Sequence, residues 1–173
     1  MKIYTRRGDS GETDLFRSGR VPKNDPRIEA LGDLDELVSW LGVVRAHNSS
    51  EVLERLLEKW QRKLFLLGGE LASTNPEKDV SERLRDKDVG ELEEEIDWLE
   101  KQLPPLDSFV IPSGTPCSTF CHLARAVCRR LERKIVALEN VSPVIRAWVN
   151  RFSDMLFVLG RYVNTLEPPK EKS

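Results

Sequence analysis

The chain has 173 residues, of which 39% are hydrophobic and 32% charged, and its formal net charge is −2. This length suits one domain with a sizeable core, and the nearly balanced charge gives no argument for nucleic-acid binding. The sequence has no apolar run of about 18 residues, so no transmembrane helix is expected, and the N-terminus lacks a signal-peptide pattern. We therefore expect a cytoplasmic protein that contacts no membrane.

The N-terminal segment, residues 1–24, concentrates glycine, hydroxyl and carboxylate groups. Glycines allow consecutive backbone N–H groups to converge on one point, and hydroxyls add donors, so such a segment can bind a polyphosphate. Arg6, Arg7 and Lys23 add positive charge. The segment has no Walker A pattern, and its composition also fits a flexible polar arm. The candidate binding residues are Thr5, Gly8, Asp9, Ser10, Gly11 and Thr13.

Five amphipathic helices are predicted after this segment, because apolar residues recur there at helical spacing. A cap residue followed by proline marks the start of three of them, at Asp25-Pro26, Thr115-Pro116 and Ser142-Pro143. The fourth helix extends to about Glu139 and the fifth to about Thr165. Strand signals are nearly absent.

The second and third helices are predicted from weaker boundary signals. The second starts near residues 49–50 and ends at residues 75–76, an Asn-Pro pair. The third starts at Asp88, with Glu91 completing a capping box.

These elements predict an all-α fold, an up-and-down bundle of five helices, preceded by the extended N-terminal nucleotide-binding segment. Residues 1–166 would form a single domain. The first, second, fourth and fifth helices would build the main bundle, with the shorter third helix at its periphery. Residues 167–173 have the composition of a disordered tail.

Three cysteines lie close together in the fourth helix. Cys117, Cys121 and Cys128 are spaced by four and seven residues and share one helix face, and an odd number in one segment argues against a disulfide framework. His122 lies beside them, which raises the alternative of a metal site. However, His122 points about 100° away from Cys121 on a helix, and no C-x-x-C pattern occurs. We expect buried structural thiols.

The fourth and fifth helices carry polar residues that suit an anionic ligand. Arg125, Arg129 and Glu132 share one face of the fourth helix, and guanidinium groups bind phosphate oxygens in bidentate fashion. A basic outer face with internal ion pairs is the alternative interpretation. Asn150 and Asp154 lie one turn apart beside the apolar stripe of the fifth helix, where they serve either interhelical bonds or ligand contacts.

Four blocks of sequence carry more specific patterns. They are TRRGDSGET at residues 5–13, VPKNDPRIEALG with DEL at residues 21–37, FVIPSG with the arginine helix at residues 109–133, and NRFSDMLF at residues 150–157. In this order and spacing the chain resembles the PduO-type ATP:cob(I)alamin adenosyltransferases. The likeness covers nearly the whole chain.

The resemblance implies that the chain transfers the 5′-deoxyadenosyl group of ATP to cob(I)alamin, giving adenosylcobalamin and triphosphate. It implies a homotrimer of helical bundles with active sites between subunits, in which the N-terminal segment wraps the triphosphate of ATP with Mg²⁺. A flavoprotein reductase and a B12-dependent enzyme are the partners that this chemistry would need. A non-catalytic bundle that carries or senses ATP or cobalamin is the alternative.

The resemblance also implies roles for single residues. Arg125 and Asp35 match a salt bridge across the subunit interface, and Phe109 matches an aromatic residue that helps to displace the lower axial ligand of cobalamin. Together with Arg129 these are the expected catalytic residues. The implied ATP contacts are Thr5, Gly8, Asp9, Gly11, Thr13, Lys23, Arg129, Glu132 and Asn150.

The chain departs from the family pattern within its N-terminal segment. Asp14 adds a second carboxylate where the family often has a small or hydroxyl residue, and Arg17-Ser18 stands where a glycine is common. The geometry around Mg²⁺ and the loop conformation are therefore open at this point.

Overall fold

The computed structural model describes residues 3–166, so the tail predicted for residues 167–173 lies outside the described part of the chain. Between residues 3 and 166 the chain forms six α-helices and one antiparallel β-hairpin. No helix in this range is long and apolar enough to cross a membrane. The elements are β1 (Glu12–Leu15), β2 (Gly19–Pro22), α1 (Pro26–Ala46), α2 (Glu51–Leu71), α3 (Pro76–Asp79), α4 (Asp86–Glu100), α5 (Pro116–Ala137) and α6 (Pro143–Leu166).

The hairpin lies in the N-terminal segment, where the sequence analysis expected no strand. Its two strands pair from Glu12 opposite Pro22 to Leu15 opposite Gly19. Arg17 lies in the turn with a φ of 52°, and Gly19 follows with a φ of 87°. These left-handed conformations usually need glycine, so Arg17 adopts a conformation suited to the glycine that is common there. Strands of four residues are too short to give a clear alternating pattern, which explains why they were not predicted.

The predicted starts of the long helices are confirmed. The side chains of Asp25, Ser50 and Thr115 accept backbone N–H groups in the first turns of α1, α2 and α5, at 2.8, 3.4 and 3.2 Å. Each bond satisfies a donor that the start of a helix leaves without an internal partner. Helix α6 begins at Pro143, also as predicted.

Two predicted boundaries are wrong. Helix α2 ends at Leu71 rather than at residues 75–76, where the one-turn helix α3 begins. Helix α4 begins before Asp88, which occupies its third position and accepts the backbone N–H of Arg85 at 2.7 Å. Arg85 is therefore the cap residue, and Asp88 is the third residue of the helix, whose carboxylate bonds back to it. Glu91, the predicted partner, takes no part in this bond.

Helix α4 belongs to the core and is not peripheral. It packs along α6 and buries Leu92, Ile96 and Leu99. On its other side the indole N–H of Trp60 in α2 donates to Glu95 in α4 at 2.7 Å. The shorter helix thus joins α1, α2, α5 and α6 around one apolar core.

The hairpin is attached to the end of the bundle where α1 and α6 begin and α2 and α5 end. The hydroxyls of Ser18 and Thr74 lie 2.9 Å apart. At the same end, Arg27 donates to the carbonyl oxygens of Leu71 at 3.2 Å and Glu139 at 2.9 Å. The N-terminal segment therefore lies at the end of the bundle where α5 ends and α6 begins.

Candidate functional site

Helices α5 and α6 bring Glu132 and Asn150 into direct contact. The amide Nδ2 of Asn150 donates to Oε1 of Glu132 at 2.8 Å. Asn150 is exposed and Glu132 is half-buried, so the pair faces solvent along the line where the two helices meet. The interhelical bond leaves the amide oxygen of Asn150 directed away from this contact, so the pair can also accept a ligand.

Arg129 lies three residues before Glu132, on the same side of α5. Its side chain is exposed, and within residues 3–166 it forms neither an ion pair nor a hydrogen bond. Its backbone carbonyl accepts a bond from Arg133 at 2.9 Å. An exposed guanidinium without an internal partner retains all its donors for a bidentate contact with phosphate.

Asp154, the other polar residue predicted beside the apolar stripe of α6, forms an ion pair on its own helix. Its Oδ2 lies 2.9 Å from a guanidinium nitrogen of Arg151, and Arg151 also reaches Glu93 in α4 at 3.0 Å. Of the two polar residues predicted beside the apolar stripe, Asn150 therefore belongs to the candidate site, whereas Asp154 forms an ion pair that stabilises α6.

Arg125 and Asp35 do not meet within one chain. The Cζ atom of Arg125 lies 5.7 Å from the centre of the Phe157 ring. The Nε of Arg125 is buried, yet it has no hydrogen-bond partner among the described residues. Asp35 is exposed on α1 and forms no ion pair within residues 3–166. Because each lacks a countercharge among residues 3–166 of the same chain, both are available to a partner from another copy.

A charged network between α1 and α5 was not predicted. Arg130 Nε lies 3.2 Å from Oδ1 of Asp33, and Lys134 Nζ lies 3.0 Å from the same oxygen. Arg130 also pairs with Glu36, and Lys134 pairs with Glu29 at 3.0 Å, a hydrogen bond that raises the pKa of Lys134. The signal was present in the sequence, since acidic residues at helical spacing on α1 match basic residues four apart on α5.

Lys23 folds back onto the glycines of the N-terminal segment. Its backbone N–H donates to the carbonyl of Gly11 at 2.9 Å, and Gly11 has a φ of 83°. A Cβ atom on Gly8 would lie 3.2 Å from the ammonium nitrogen of Lys23. Glycine at these two positions therefore permits the turn and the close approach of the ammonium group.

Most of the segment's carboxylates already have cationic partners. Asp14 pairs with Arg7 and Glu12 with Arg20, both at 3.2 Å, whereas Asp9 is exposed and has no ion pair within residues 3–166. Among these described residues, no group of three or more His, Cys, Asp or Glu side chains could hold a metal ion. The other predicted residues of the segment are Thr5 and Ser10, which are exposed, and Thr13, which is half-buried in β1.

Phe109 lies in the loop between α4 and α5. Its side chain is fully exposed, and Ile111 is 80% exposed. Phe109 therefore touches none of the other predicted site residues. Exposed apolar side chains next to each other are typical of a binding surface.

The three cysteines are buried, as predicted. Burial raises the pKa of Cys128, which keeps its thiol protonated and unreactive. Its Sγ lies 3.5 Å from the carbonyl oxygen of Val149 in α6. The cysteines are part of the core rather than of the candidate site.

The candidate site is thus an open surface rather than a closed pocket in the single chain. A groove of about 440 Å³ lies elsewhere, between α2 and α4, with Leu56 and Trp98 among its walls. Chemically, an exposed guanidinium beside an amide and a carboxylate suits a polyanion that also bears hydroxyl or amine groups.

Comparison with known proteins places these features in context. The family model described as "Cobalamin adenosyltransferase" matches residues 3–163. The chain is 40% identical over 168 residues to a corrinoid adenosyltransferase of Citrobacter freundii, covering 95% of this chain and 96% of that protein. It is 38% identical over 171 residues to a corrinoid adenosyltransferase of Bacillus subtilis (strain 168), covering 95% of this chain and 87% of that protein.

Solved structures give the same result. A variant PduO-type ATP:corrinoid adenosyltransferase from Lactobacillus reuteri, complexed with cobalamin and ATP, matches with a TM-score of 0.90 and 37% identity, covering 96% of this chain and 92% of that chain. Another variant of this enzyme, complexed with ATP, matches with a TM-score of 0.88 and 36% identity, covering 95% of each chain. The structural likeness therefore extends over nearly all of the helical bundle.

Proposed function

The chain belongs to the cobalamin adenosyltransferase family, and from this membership we propose that it transfers the 5′-deoxyadenosyl group of ATP to cob(I)alamin. The products are adenosylcobalamin and triphosphate. The observation that carries the proposal is the group formed by Arg129, Glu132 and Asn150 on α5 and α6, in a chain whose structural likeness to a corrinoid adenosyltransferase covers 96% of its length.

The reaction asks for alignment and charge stabilisation rather than proton transfer. The Co(I) nucleophile forms a bond to the 5′-carbon of ATP while the bond from that carbon to oxygen breaks, and triphosphate departs with the electron pair. The protein must hold the two reacting atoms in line and stabilise the charge on the leaving group. No general base is needed.

The residues of α5 and α6 suit this task. We assign Arg129 to the triphosphate, because its exposed guanidinium has no partner within residues 3–166. The bonded pair of Asn150 and Glu132 is assigned to polar groups of the adenosine, since one amide and one carboxylate offer both a donor and acceptors.

The N-terminal segment is assigned to the phosphates. Gly8 and Gly11 allow the backbone to turn, and the Lys23 ammonium group lies against Gly8. Backbone N–H groups and an ammonium group together favour an anion. The remaining candidates for this contact are Thr5, Asp9, Ser10 and Thr13.

Magnesium fits this site as part of the nucleotide complex. Mg²⁺ keeps several waters and is commonly bound through one or two carboxylates together with substrate phosphates. Asp9 is a carboxylate of the segment without an ion pair in residues 3–166, and Asp14 pairs with Arg7. We therefore propose that Mg²⁺ enters with ATP and that the protein contributes at most a few ligands.

A homotrimer with active sites between subunits is part of the proposal. Asp35 is exposed without an ion pair, and the Nε of Arg125 is buried without a bond, in each case within residues 3–166. A salt bridge between these residues of two copies would satisfy both charges. Phe109, fully exposed in the single chain, would then contact cobalamin.

A turnover assay separates this enzyme from a carrier or sensor of ATP or cobalamin. Protein, ATP, Mg²⁺ and chemically reduced cobalamin are mixed without oxygen, and the spectrum of adenosylcobalamin is followed, with a control that omits ATP. Binding of both substrates without this spectrum would support the carrier instead. The flavoprotein reductase, the B12-dependent enzyme and the cytoplasmic location stay predictions.

A further inference from the structure

His122 is a buried histidine with an unsatisfied ring nitrogen. Its side chain is 5% exposed, and within residues 3–166 its Nδ1 has no hydrogen-bond partner. The second such nitrogen on this helix is the Nε of Arg125, three residues further along α5. Buried polar atoms are nearly always bonded, so two neighbouring exceptions on one face call for a functional reason.

Gly160 of α6 makes room for the imidazole. A Cβ atom at this position would lie 3.1 Å from Nε2 and 3.2 Å from Cε1 of His122. The carbonyl of Gly160 also accepts a bond from the hydroxyl of Ser118 in α5 at 2.7 Å. The two helices are therefore held together at the place where the imidazole lies against the backbone of α6.

The ring of Phe157 connects His122 to Arg125. The centres of the His122 and Phe157 rings are 6.1 Å apart, with the ring planes at 60°. The guanidinium of Arg125 lies 5.7 Å from the centre of the same Phe157 ring. Edge-to-face ring contacts and cation–π contacts both depend on ring orientation, so the Phe157 ring is a physical link through which His122 can influence Arg125.

We propose that His122 is a positioning residue for adenosyl transfer: its neutral imidazole sets the Phe157 ring, and through it the direction of the Arg125 guanidinium toward Asp35 of a second copy. The proposal rests on the proposed function for its role in turnover. The contact between His122, Phe157 and Arg125 itself is independent of that function.

The electrostatic surroundings support a neutral imidazole. Burial, and secondly the charge of Arg125, lower the pKa of His122. The charged residues of α6 nearest in sequence to Phe157 and Gly160 are engaged elsewhere: Asp154 pairs with Arg151, and Arg161 donates to a backbone carbonyl of the loop after α4. Within residues 3–166 of one chain, no carboxylate pairs with His122 or Arg125, so protonation of His122 would place a second positive charge beside Arg125, where the Asp35 carboxylate of a second copy would have to offset both.

Two substitutions of His122 test the role. In His122→Ala the Phe157 ring loses its neighbour, and we expect the KM for cob(I)alamin to rise about tenfold or more, while the KM for ATP changes less than about twofold. His122→Phe keeps a ring at this position but cannot be protonated, so its KM at neutral pH should stay near that of the unmodified protein.

The pH profile distinguishes positioning from simple packing. For the unmodified protein, the KM for cob(I)alamin should rise as the pH falls below the lowered pKa of His122, whereas in His122→Phe it should stay flat. His47→Phe is the matched control, since His47 is the other histidine of the chain and is exposed at the end of α1. This control should keep the rise at low pH.

A double-mutant cycle provides a second test. Gly160→Ala should displace the imidazole and raise the KM for cob(I)alamin, but it should have no further effect in the His122→Ala background. Gly90→Ala is the control, because a Cβ atom at this helical glycine of α4 would meet nothing within 4 Å. Additive effects of Gly160→Ala and His122→Ala on the KM for cob(I)alamin would overturn the proposal. A lower melting temperature with an unchanged KM would overturn it as well.

The Nε–H signal of Arg125 in ¹⁵N NMR reports the coupling without turnover. A shift of this signal in His122→Ala, absent in Gly90→Ala, is the expected result, and an unchanged signal would overturn the inference. If the unmodified protein formed no adenosylcobalamin but the signal still shifted, the proposed function would be wrong while the coupling stood.

Discussion

Arg129 and Arg130 are adjacent in α5, yet their side chains serve different surfaces. Arg130 Nε lies 3.2 Å from the largely buried carboxylate of Asp33 in α1. Arg129 is exposed and has no side-chain bond within residues 3–166. One residue along a helix turns the side chain by about 100°, so one arginine joins two helices and the other is left for a ligand.

Arg129→Lys should therefore lower activity with little effect on folding. Lysine keeps the charge but loses the bidentate geometry, so we expect kcat/KM to fall about tenfold or more, on the order of 1.4 kcal/mol. The melting temperature should hardly change. Steady-state kinetics in ATP and thermal unfolding by circular dichroism measure the two effects.

Two further arginines serve as comparisons for this prediction. Arg55→Lys, at an exposed position of α2, should alter neither quantity. Arg130→Ala should lower the melting temperature, because Asp33 then keeps only Lys134 as a partner. Kinetics of Arg129→Lys indistinguishable from those of Arg55→Lys would remove Arg129 from the site.

The assembly prediction follows from Asp35 and Arg125, two charged residues that form no ion pair within residues 3–166. We expect a homotrimer in solution, reduced activity in Asp35→Asn, and partial recovery in the charge-swapped double variant Asp35→Arg with Arg125→Asp. Recovery would require contact between the two positions, because unrelated defects add rather than compensate. Light scattering that finds a fully active monomer would contradict this prediction.

Much of the fold follows from local sequence signals. The predicted helix starts at Asp25, near residues 49–50 and at Thr115 are confirmed, because the side chains of Asp25, Ser50 and Thr115 each bond within their own first turn. The predicted start at Asp88 is wrong, because an aspartate can serve either as the cap or as the third residue of the first turn. The choice depends on how the preceding loop packs, which a local pattern does not contain.

In the candidate site, too, local spacing predicted the residues of one helix but not the contacts between helices. Arg129 and Glu132 could be placed on one helix face from their spacing, whereas the bond from Asn150 to Glu132 joins two helices and required the fold. His122 was considered only as a metal ligand, because its contact with Phe157 comes from another helix. The spacing of residues within one helix does not predict contacts with residues far away in the sequence.

Glu70 gives a prediction about pH. It is buried in α2 and accepts the backbone N–H of Leu84 at 2.7 Å, and burial raises its pKa. A carboxyl whose pKa is higher in the folded state contributes stability below its ordinary pKa, and this contribution is lost as the pH rises through the raised value. Glutamine can accept the same bond without becoming charged.

Glu70→Gln should accordingly gain stability relative to the unmodified protein as the pH is raised. Urea titrations at pH 4 and pH 7 measure the free energy of unfolding of Glu70→Gln and of the unmodified protein. Relative to the unmodified protein, the variant should be more stable at pH 7 than at pH 4. Glu82→Gln, at an exposed position, is the control and should show no such trend. If the difference in free energy of unfolding between Glu70→Gln and the unmodified protein were equal at both pH values, burial would not disfavour the ionised form of Glu70.

The N-terminal segment should become ordered when ATP binds. Thr5, Asp9 and Ser10 are exposed, and exposed backbone hydrogen bonds open easily. The phosphates would supply the partner that backbone N–H groups near Gly8 and Gly11 need. Hydrogen exchange of residues 5–20 should therefore slow sharply on adding ATP with Mg²⁺, while the helix cores hardly change.

Deleting residues 1–13 should abolish ATP binding yet leave the bundle folded. Of the deleted part, residues 3–13 contribute no residue to the apolar core, whose first described member is Ala30, and the helical content by circular dichroism should be retained. Calorimetric titration with ATP and Mg²⁺ measures the loss of binding, and Lys23→Ala in the full chain should weaken binding less than the deletion does. If the shortened protein bound ATP with unchanged affinity, the phosphates would have to be held by α5 and α6 alone, and the assignment of Gly8, Gly11 and their neighbours would be wrong.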